Sequence, residues 1–234
     1  MNVGVQEFAD RVGEARRQKA TLKIRGQGSK SFYGRPCEGE VVDVSPHQGI
    51  VSYEPTELVL TGCAGTSLAA IEAALSEAGQ MLPFEPPHYG EGATLGGTLA
   101  CGFSGPRRPY AGAARDFVLG TQVVTGKGEA LRFGGAVMKN VAGYDVSRLM
   151  VGSLGTLGII LEASLKVLPR PGAEITLVRE FGSPLFWTFP FFRLPNPVPG
   201  PLLVVSSSIQ TCPTLFTDRS GNRASTNIKY MDFA

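Results

Sequence analysis

The sequence predicts an α+β fold. Short apolar runs alternate with period two between Gly and Pro residues, one of their connections is a tight hairpin, and helical periodicity is confined to a few segments. A doubly wound parallel sheet needs a helix between most of its strands. Strands joined by hairpins, with few helices, therefore favour α+β over that alternative.

The elements follow in chain order. Phe8, Val12 and Ala15 fit one face of an N-terminal helix, and a second helix begins after Ser67, with apolar residues three or four apart, and ends at Gly79. A hairpin turn is indicated by the sequence Gly-Lys-Gly at 126–128. The predicted strands cover residues 21–25, 41–44, 50–53, 57–61, 117–125, 129–133 and 156–168.

Composition limits the function classes. The 234 residues carry 22 Lys and Arg against 20 Asp and Glu, so the net charge of +2 gives no basis for a nucleic-acid partner or an anionic membrane surface. No stretch has the length of a signal sequence or a membrane span, and we expect a cytoplasmic protein. The four cysteines are scattered without a CxxC pair, so we expect reduced thiols and no metal site.

A domain boundary is predicted near residue 180. Residues 182–234 hold three of the 30 glycines but seven of the 17 prolines, together with a crowd of aromatic residues that follows no period. We therefore predict one domain at 1–180 and an atypical Pro- and aromatic-rich tail at 181–234. A truncated or frame-shifted product accounts for this tail, and a native short variant that docks on another subunit is the alternative.

Three glycine clusters stand out, at residues 25–30, 92–106 and 152–160. The first lacks the third glycine of a dinucleotide fingerprint, where Ser31 stands, which disfavours a nicotinamide Rossmann site. The Gly-Lys pair at 126–127 is followed by Gly128 where an NTPase needs Ser or Thr, which excludes a P-loop. Glycines let backbone N–H groups approach an anion or a flat ligand, so three clusters in one domain indicate one extended ligand.

Four separated motifs carry a family resemblance. In order they are RGQGS, GATLGGTLACGFSGP, ARDFVLGTQVVTGKGEALRFGG and VMKNVAGYDVSRLMVGSLGTLGIILEASLKVLP. They resemble the FAD-binding domain of the vanillyl-alcohol-oxidase flavoproteins, the PCMH type, and within it the FAD-binding E-type subunits of glycolate oxidase. The resemblance covers residues 1–180 and implies two α/β subdomains with mixed and antiparallel sheet.

The resemblance also implies the residues that bind FAD. Residues 25–30 and 94–97 match the segments that clasp its pyrophosphate. Pro86 matches a position that lines the cofactor pocket, and it could instead be a proline of a turn. The side chains of Ile159 and Ile160 could instead belong to the core. For Lys139 and Tyr144 the match does not fix which group the side chain contacts. The implied set is Arg25, Gly26, Gln27, Gly28, Ser29, Lys30, Pro86, Thr94, Leu95, Gly96, Gly97, Ala100, Ser104, Gly105, Lys139, Tyr144, Gly158, Ile159 and Ile160.

One departure concerns the attachment of the cofactor. Covalent members of the family often have a histidine after the RGxG sequence, and this chain has Ser29 there. A hydroxyl does not form that linkage, so we expect non-covalent FAD. Nearby, Arg107 and Arg108 are expected to be a solvated pair, and Arg115 with Asp116 a structural ion pair or turn contact.

A flavin implies oxidoreduction. The resemblance implies a subunit of a glycolate oxidase complex that oxidises a small 2-hydroxy acid, glycolate to glyoxylate, with electrons passing to a larger FAD subunit and an iron–sulfur subunit. Association with the inner membrane through those partners stays open, and no catalytic residue is assigned. A stand-alone FAD-dependent oxidoreductase and a non-catalytic truncated scaffold are the alternatives.

Overall fold

The structure is a computed structural model that describes residues 4–90, 92–135 and 144–172, together with the backbone of strands at 174–180, 203–204 and 225–231. Contacts divide the chain into two units, Met1–Pro169 and Arg170–Ala234. The predicted domain boundary near residue 180 and the assignment of the two parts stay predictions. Most of the predicted tail lies outside the described residues.

The first unit combines helices with antiparallel sheet, as predicted, and with one separate pair of parallel strands. Its helices are α1 (Val5–Gln18), α2 (Leu68–Glu77), α3 (Leu95–Cys101), α4 (Arg108–Ala111) and α5 (Val146–Leu149). Its strands are β1 (Leu22–Arg25), β2 (Glu40–Asp43), β3 (Ile50–Glu54), β4 (Val59–Cys63), β5 (Gln80–Met81), β6 (Val118–Val124), β7 (Ala130–Gly134), β8 (Ile159–Lys166) and β9 (Leu168–Pro169). Among the helices of the described residues, none is long and apolar enough to cross a membrane.

A five-stranded antiparallel sheet forms the centre of this unit, with the order β3-β4-β8-β6-β7. β8 lies in the middle, and its side chains are buried along most of its length. β1 and β2 form a separate parallel pair, and β5 pairs antiparallel with β9. In the second unit β12 (Ser225–Met231) pairs antiparallel with both β10 (Glu174–Glu180) and β11 (Leu203–Val204).

The helices cover this sheet with the apolar faces that the sequence predicts. α1 buries Phe8, Val12 and Ala15. Before α2 the Ser67 side chain accepts a hydrogen bond from the Ala70 N–H at 3.2 Å, an N-cap that satisfies one of the unpaired donors of the first turn. Gly79, at φ +64°, ends that segment in the left-handed region.

Two predicted strands begin later than expected because turns precede them. The strand expected from residue 57 starts at Val59, since a 3-10 turn covers Pro55–Glu57 and Leu58 is left-handed at φ 56°. The strand expected from residue 156 starts at Ile159. There Gly158, at φ +145°, lies so close to β6 that a Cβ on it would be 2.5 Å from the Val124 carbonyl oxygen.

Packing on the central strand accounts for much of the stability of the first unit. Leu161 in β8 is 0% exposed, and we expect Leu161→Ala to lower the free energy of unfolding by about 2–5 kcal/mol through lost burial and the cavity left behind. Leu131 in β7 is 39% exposed and serves as the control, with an expected loss under about 1 kcal/mol. Denaturant titrations followed by circular dichroism measure both. Equal losses would contradict this account of the core.

Candidate functional site

The first two glycine clusters meet at Thr94. A Cβ on Gly26 would lie 2.9 Å from Thr94 Oγ1, and a Cβ on Gly97 would lie 3.0 Å from the same atom. A Cβ on Gly26 would be closer to Thr94 than real Cβ atoms come, so that position requires glycine if Thr94 keeps its place. A Cβ on Gly97 would make a tight contact that Thr94 could relieve only by moving a few tenths of an ångström. The loop that follows β1 and the start of α3 are thereby held in contact.

The third cluster contacts the second cluster and the strand β1, which leads into the first. The Gly152 N–H donates to the Leu99 carbonyl and the Leu154 N–H to the Ala100 carbonyl, each at 2.9 Å, which joins this cluster to α3. A Cβ on Gly155 would lie 2.9 Å from the Ile24 side chain in β1. The three clusters are thus neighbours in space, although they are far apart in the sequence.

The loop at 25–30 presents backbone donors. Gly28 is left-handed at φ +77°, and its carbonyl accepts the Ser31 N–H at 3.1 Å, which turns the chain back. Among the described residues no hydrogen bond engages the backbone N–H groups of residues 27–30. Consecutive unpaired N–H groups in a tight turn form a concave site for an anion.

A buried cation lies beside these donors. Lys30 is 8% exposed, and its Nζ is 3.4 Å from Ser29 Oγ. Burial lowers the pKa of Lys30 below its ordinary value, and the neighbouring Cys101 thiol opposes this shift. In the described part of the chain no carboxylate forms an ion pair with it. A buried ammonium without a counter-ion is costly, and an anionic ligand removes that cost.

Hydrogen bonds within the protein already use several of the donors at the start of α3. Thr94 is the N-cap, and its Oγ1 accepts the Gly97 N–H at 3.3 Å. The Leu95 N–H donates to the Thr66 carbonyl and the Gly96 N–H to the Ala64 carbonyl. These two donors are therefore engaged within the protein, whereas the Thr94 hydroxyl proton has no acceptor among the described residues and can be donated to a ligand.

Gly105 contacts the segment that leads into Pro86, and Ser104 bonds to the turn before β6. The Gly105 N–H donates to the Phe84 carbonyl at 2.8 Å, and a Cβ on Gly105 would collide with the Glu85 carbonyl oxygen. The Ser104 hydroxyl accepts the Ala114 N–H at 2.9 Å. Pro86 itself is buried directly after Glu85, which has a left-handed φ of 41°.

The expectation of a solvated Arg107 is wrong. Its side chain is 5% exposed and its Nε is 2.6 Å from Oε1 of Glu85, so it forms a buried ion pair that holds the turn before Pro86. Arg108 is exposed. Arg115 and Asp116 form the expected contact, at 3.9 Å, and Asp116 also accepts the Ala113 N–H at 2.9 Å.

The last predicted positions are the strand start and the segment before α5. Ile159 and Ile160 are buried and pair with β6, while the ladder with β4 begins only at Glu162, so one side of this strand end has no strand neighbour. Tyr144 is 98% exposed, so its side chain does not pack with the clusters. Lys139 lies outside the described residues.

An open cleft of about 230 Å³ lies between the second and third clusters. Its lining combines two arginines and one aromatic ring with small residues: Tyr33, Cys101, Gly102, Arg108, Ala113, Arg115, Val151 and Gly152. Tyr33, Arg108 and Arg115 are not among the site residues that the sequence predicts. No spacing signal marks them, because the cleft forms only when α3, α4 and the 151–152 turn come together.

Comparison with known proteins decides which family these loops belong to. The family model described as FAD binding domain matches residues 4–134, more than half of the chain. The chain belongs to the FAD binding domain family. The cofactor of this family is FAD, and the resemblance stated from the four motifs is confirmed.

Several curated relatives are oxidoreductases. Glycolate oxidase subunit GlcE of Escherichia coli is 61% identical over 175 residues, which is 75% of this chain and 50% of that protein. Glycolate oxidase subunit GlcD of Bacillus subtilis is 36% identical over 156 residues, 66% of this chain and 33% of that protein. D-2-hydroxyglutarate dehydrogenase of Xanthomonas citri pv. viticola is 37% identical over 129 residues, 55% of this chain and 27% of that protein. The matched part of the chain thus spans half the length of the GlcE relative and a third or less of the other two.

The buried ammonium allows a test that separates ligand binding from stability. We expect Lys30→Met to weaken FAD binding by roughly 10- to 100-fold, the value of a charge-assisted hydrogen bond to phosphate. The stability of the cofactor-free protein should stay the same or rise, since an uncompensated buried charge is removed. FAD titration and thermal unfolding measure the two effects. Lys23→Met, at an exposed position of β1, is the control and should change neither.

The lowered pKa of Lys30 predicts a pH dependence. Between its pKa in the folded protein and the ordinary lysine value, the unfolded chain binds more protons, so cofactor-free stability gains from this group as the pH rises through that alkaline window. The Lys30→Met variant lacks this contribution. Unfolding at a series of alkaline pH values should therefore show a smaller rise, or a steeper fall, for the variant than for the wild type. Parallel pH profiles would argue against a buried charged Lys30.

Proposed function

We propose that this chain is the FAD-holding part of a glycolate oxidase subunit. The observation that carries the proposal is the Lys30 ammonium, buried beside the Ser29 hydroxyl with no carboxylate paired to it in the described part of the chain. The FAD pyrophosphate is an anion of the size that a turn with free N–H groups accepts. The 61% identity to Escherichia coli GlcE supports the choice of this subunit type.

The proposed cofactor contacts follow from the three clusters. Residues 25–30 hold the pyrophosphate with backbone N–H groups and the Lys30 ammonium, and Thr94 adds its hydroxyl. Gly96, Gly97 and Ala100 leave room for close approach, and residues 158–160 offer main-chain groups at the strand end. Pro86, Ser104 and Gly105 shape the neighbouring wall. Lys139 and Tyr144 remain proposed cofactor contacts from the resemblance.

The proposed binding of FAD is non-covalent. Ser29 stands where covalent relatives often have histidine, and the two histidines of the chain are engaged elsewhere. His47 is 5% exposed with its ring edge against Phe8, and His88 contacts Glu72 at 3.1 Å. This environment supports a cofactor that dissociates when the protein unfolds.

The proposed reaction is the oxidation of glycolate, or a related small 2-hydroxy acid, to the 2-oxo acid. Bound FAD supplies the chemistry by accepting the two electrons that the carbinol carbon loses, while the two protons pass to the flavin and solvent. This chain binds and orients the cofactor. We further propose that a larger FAD subunit and an iron–sulfur subunit carry the electrons onward, in the cytoplasm or at the inner membrane surface through those partners.

The first test is the visible absorbance of the purified 234-residue protein, followed by acid precipitation and FAD assay of the supernatant. We expect flavin bands and release of FAD into the supernatant. Flavin in the pellet would refute the non-covalent attachment. A colourless protein that takes up no added FAD would overturn the proposed cofactor role and would support a non-catalytic scaffold.

The second test adds glycolate without oxygen to the FAD-loaded chain, alone and with glycolate oxidase partner subunits. We expect the flavin absorbance to bleach only when the partners are present, because this chain holds the cofactor and the proposed complex completes the substrate site. Bleaching by the chain alone would support the stand-alone oxidoreductase instead. L-Lactate and acetate, which differ in substituent or lack the hydroxyl, are the substrate controls.

A further inference from the structure

A second group of chemically reactive side chains is buried in the first unit. His47, Cys63 and Glu162 are 5%, 4% and 9% exposed, and one potential ligand atom from each lies within 4.8 Å of the others. None of them belongs to the proposed FAD site. An imidazole nitrogen, a sulfur and a carboxylate oxygen at this separation form a donor set that the flavin chemistry does not use.

Long-range contacts hold these three residues in place. Cys63 in β4 and Glu162 in β8 are direct partners in the antiparallel ladder, so their backbone positions are fixed by the central sheet. The loop of His47 is tied to the same edge, since its carbonyl accepts the Gly65 N–H at 2.8 Å and the Gly49 carbonyl accepts the Cys63 N–H at 2.9 Å. The cluster is therefore assembled before any ligand arrives.

The charges of the cluster leave room for a cation. In the part of the chain that the structure describes, one cation pairs with Glu162: Arg132, whose Nη2 lies 2.9 Å from Oε2 and whose side chain is 67% exposed. Within the described residues no hydrogen bond engages the Cys63 thiol. A dication between the two groups would stabilise the thiolate and the carboxylate together, as metal binding to thiols requires.

We propose that His47, Cys63 and Glu162 bind a divalent transition-metal ion, with Zn²⁺ as the best match. Nitrogen and sulfur donors select zinc-like ions over Mg²⁺ and Ca²⁺, which prefer oxygen. Zinc–ligand bonds of about 2.0–2.3 Å place tetrahedral ligand atoms roughly 3.3–3.8 Å apart. The present separations, up to 4.8 Å, are longer, so the three side chains would have to move closer to the ion, and a fourth ligand would have to complete a tetrahedral shell.

The position of the cluster gives the ion a structural role. A Cβ on Gly65 would lie 2.5–2.6 Å from the carbonyl oxygens of Ser45 and His47, so the loop that contains His47 packs tightly against Gly65. Ala64 in turn is the residue against which Gly96 of α3 packs. A metal ion at His47 would fasten this loop to the central sheet beneath the second glycine cluster.

The experiment uses the full chain, stripped with a chelator and titrated with Co²⁺, a spectroscopic substitute for Zn²⁺. We expect saturation at one equivalent, a thiolate-to-cobalt charge-transfer band in the near ultraviolet, visible bands of tetrahedral intensity and loss of these bands when Zn²⁺ is added. Thermal unfolding should move to higher temperature with either metal. These readouts need no flavin and no activity, so they are independent of the proposed function.

Variants identify the ligands. Cys63→Ser should abolish the charge-transfer band, and Glu162→Gln should weaken Co²⁺ binding by at least about tenfold. Cys37→Ser, at an exposed position, is the matched control and should keep both properties. Far-ultraviolet circular dichroism checks that each variant folds. A wild-type chain that gives no cobalt bands, or bands that persist in folded Cys63→Ser, would overturn the proposal whatever the other variants do.

Discussion

Helix α3 lies against the end of β4 at a distance that excludes any side chain on Gly96. A Cβ there would be 2.6 Å from the Cβ of Ala64, and the Gly96 N–H donates to the Ala64 carbonyl at 2.8 Å. This contact holds the start of α3, and with it Thr94, close to the end of β4. Thr94 then sets the position of the loop after β1, and the far end of α3 receives the turn that contains Gly152. The whole candidate site thus depends on one backbone approach.

Electrostatics divides the first unit into two buried polar regions with opposite character. The region at Lys30 has an excess positive charge in a place with little solvent, which favours an anion. The region at Cys63 and Glu162 combines a thiol with a carboxylate that pairs with the largely exposed Arg132, an arrangement that leaves a cation site possible in our proposal. Each arrangement lowers the stability of the ligand-free protein. A ligand of opposite charge would remove the free-energy cost of the buried charge, and this gain would contribute to its affinity.

The sequence predicts elements well where local signals agree. α2 combines apolar spacing, a Ser67 cap and a glycine stop, and the structure has that helix. The sequence predicts no helix at α3, because its small residues give no apolar period; the helix instead packs closely against Ala64. The burial of Arg107 depends on Glu85, and the cluster around Cys63 depends on ladder register. Such pairs are tertiary contacts between residues far apart in the sequence, so neither local propensity nor residue spacing predicts them.

The wide separation of the three glycine clusters along the chain has a consequence for biogenesis. The pocket requires residues 26, 94 and 152 to be in place together, and contacts between such distant segments form slowly and late in folding. FAD that binds the three assembled segments stabilises the folded domain by mass action, so the folded population rises with the concentration of free FAD.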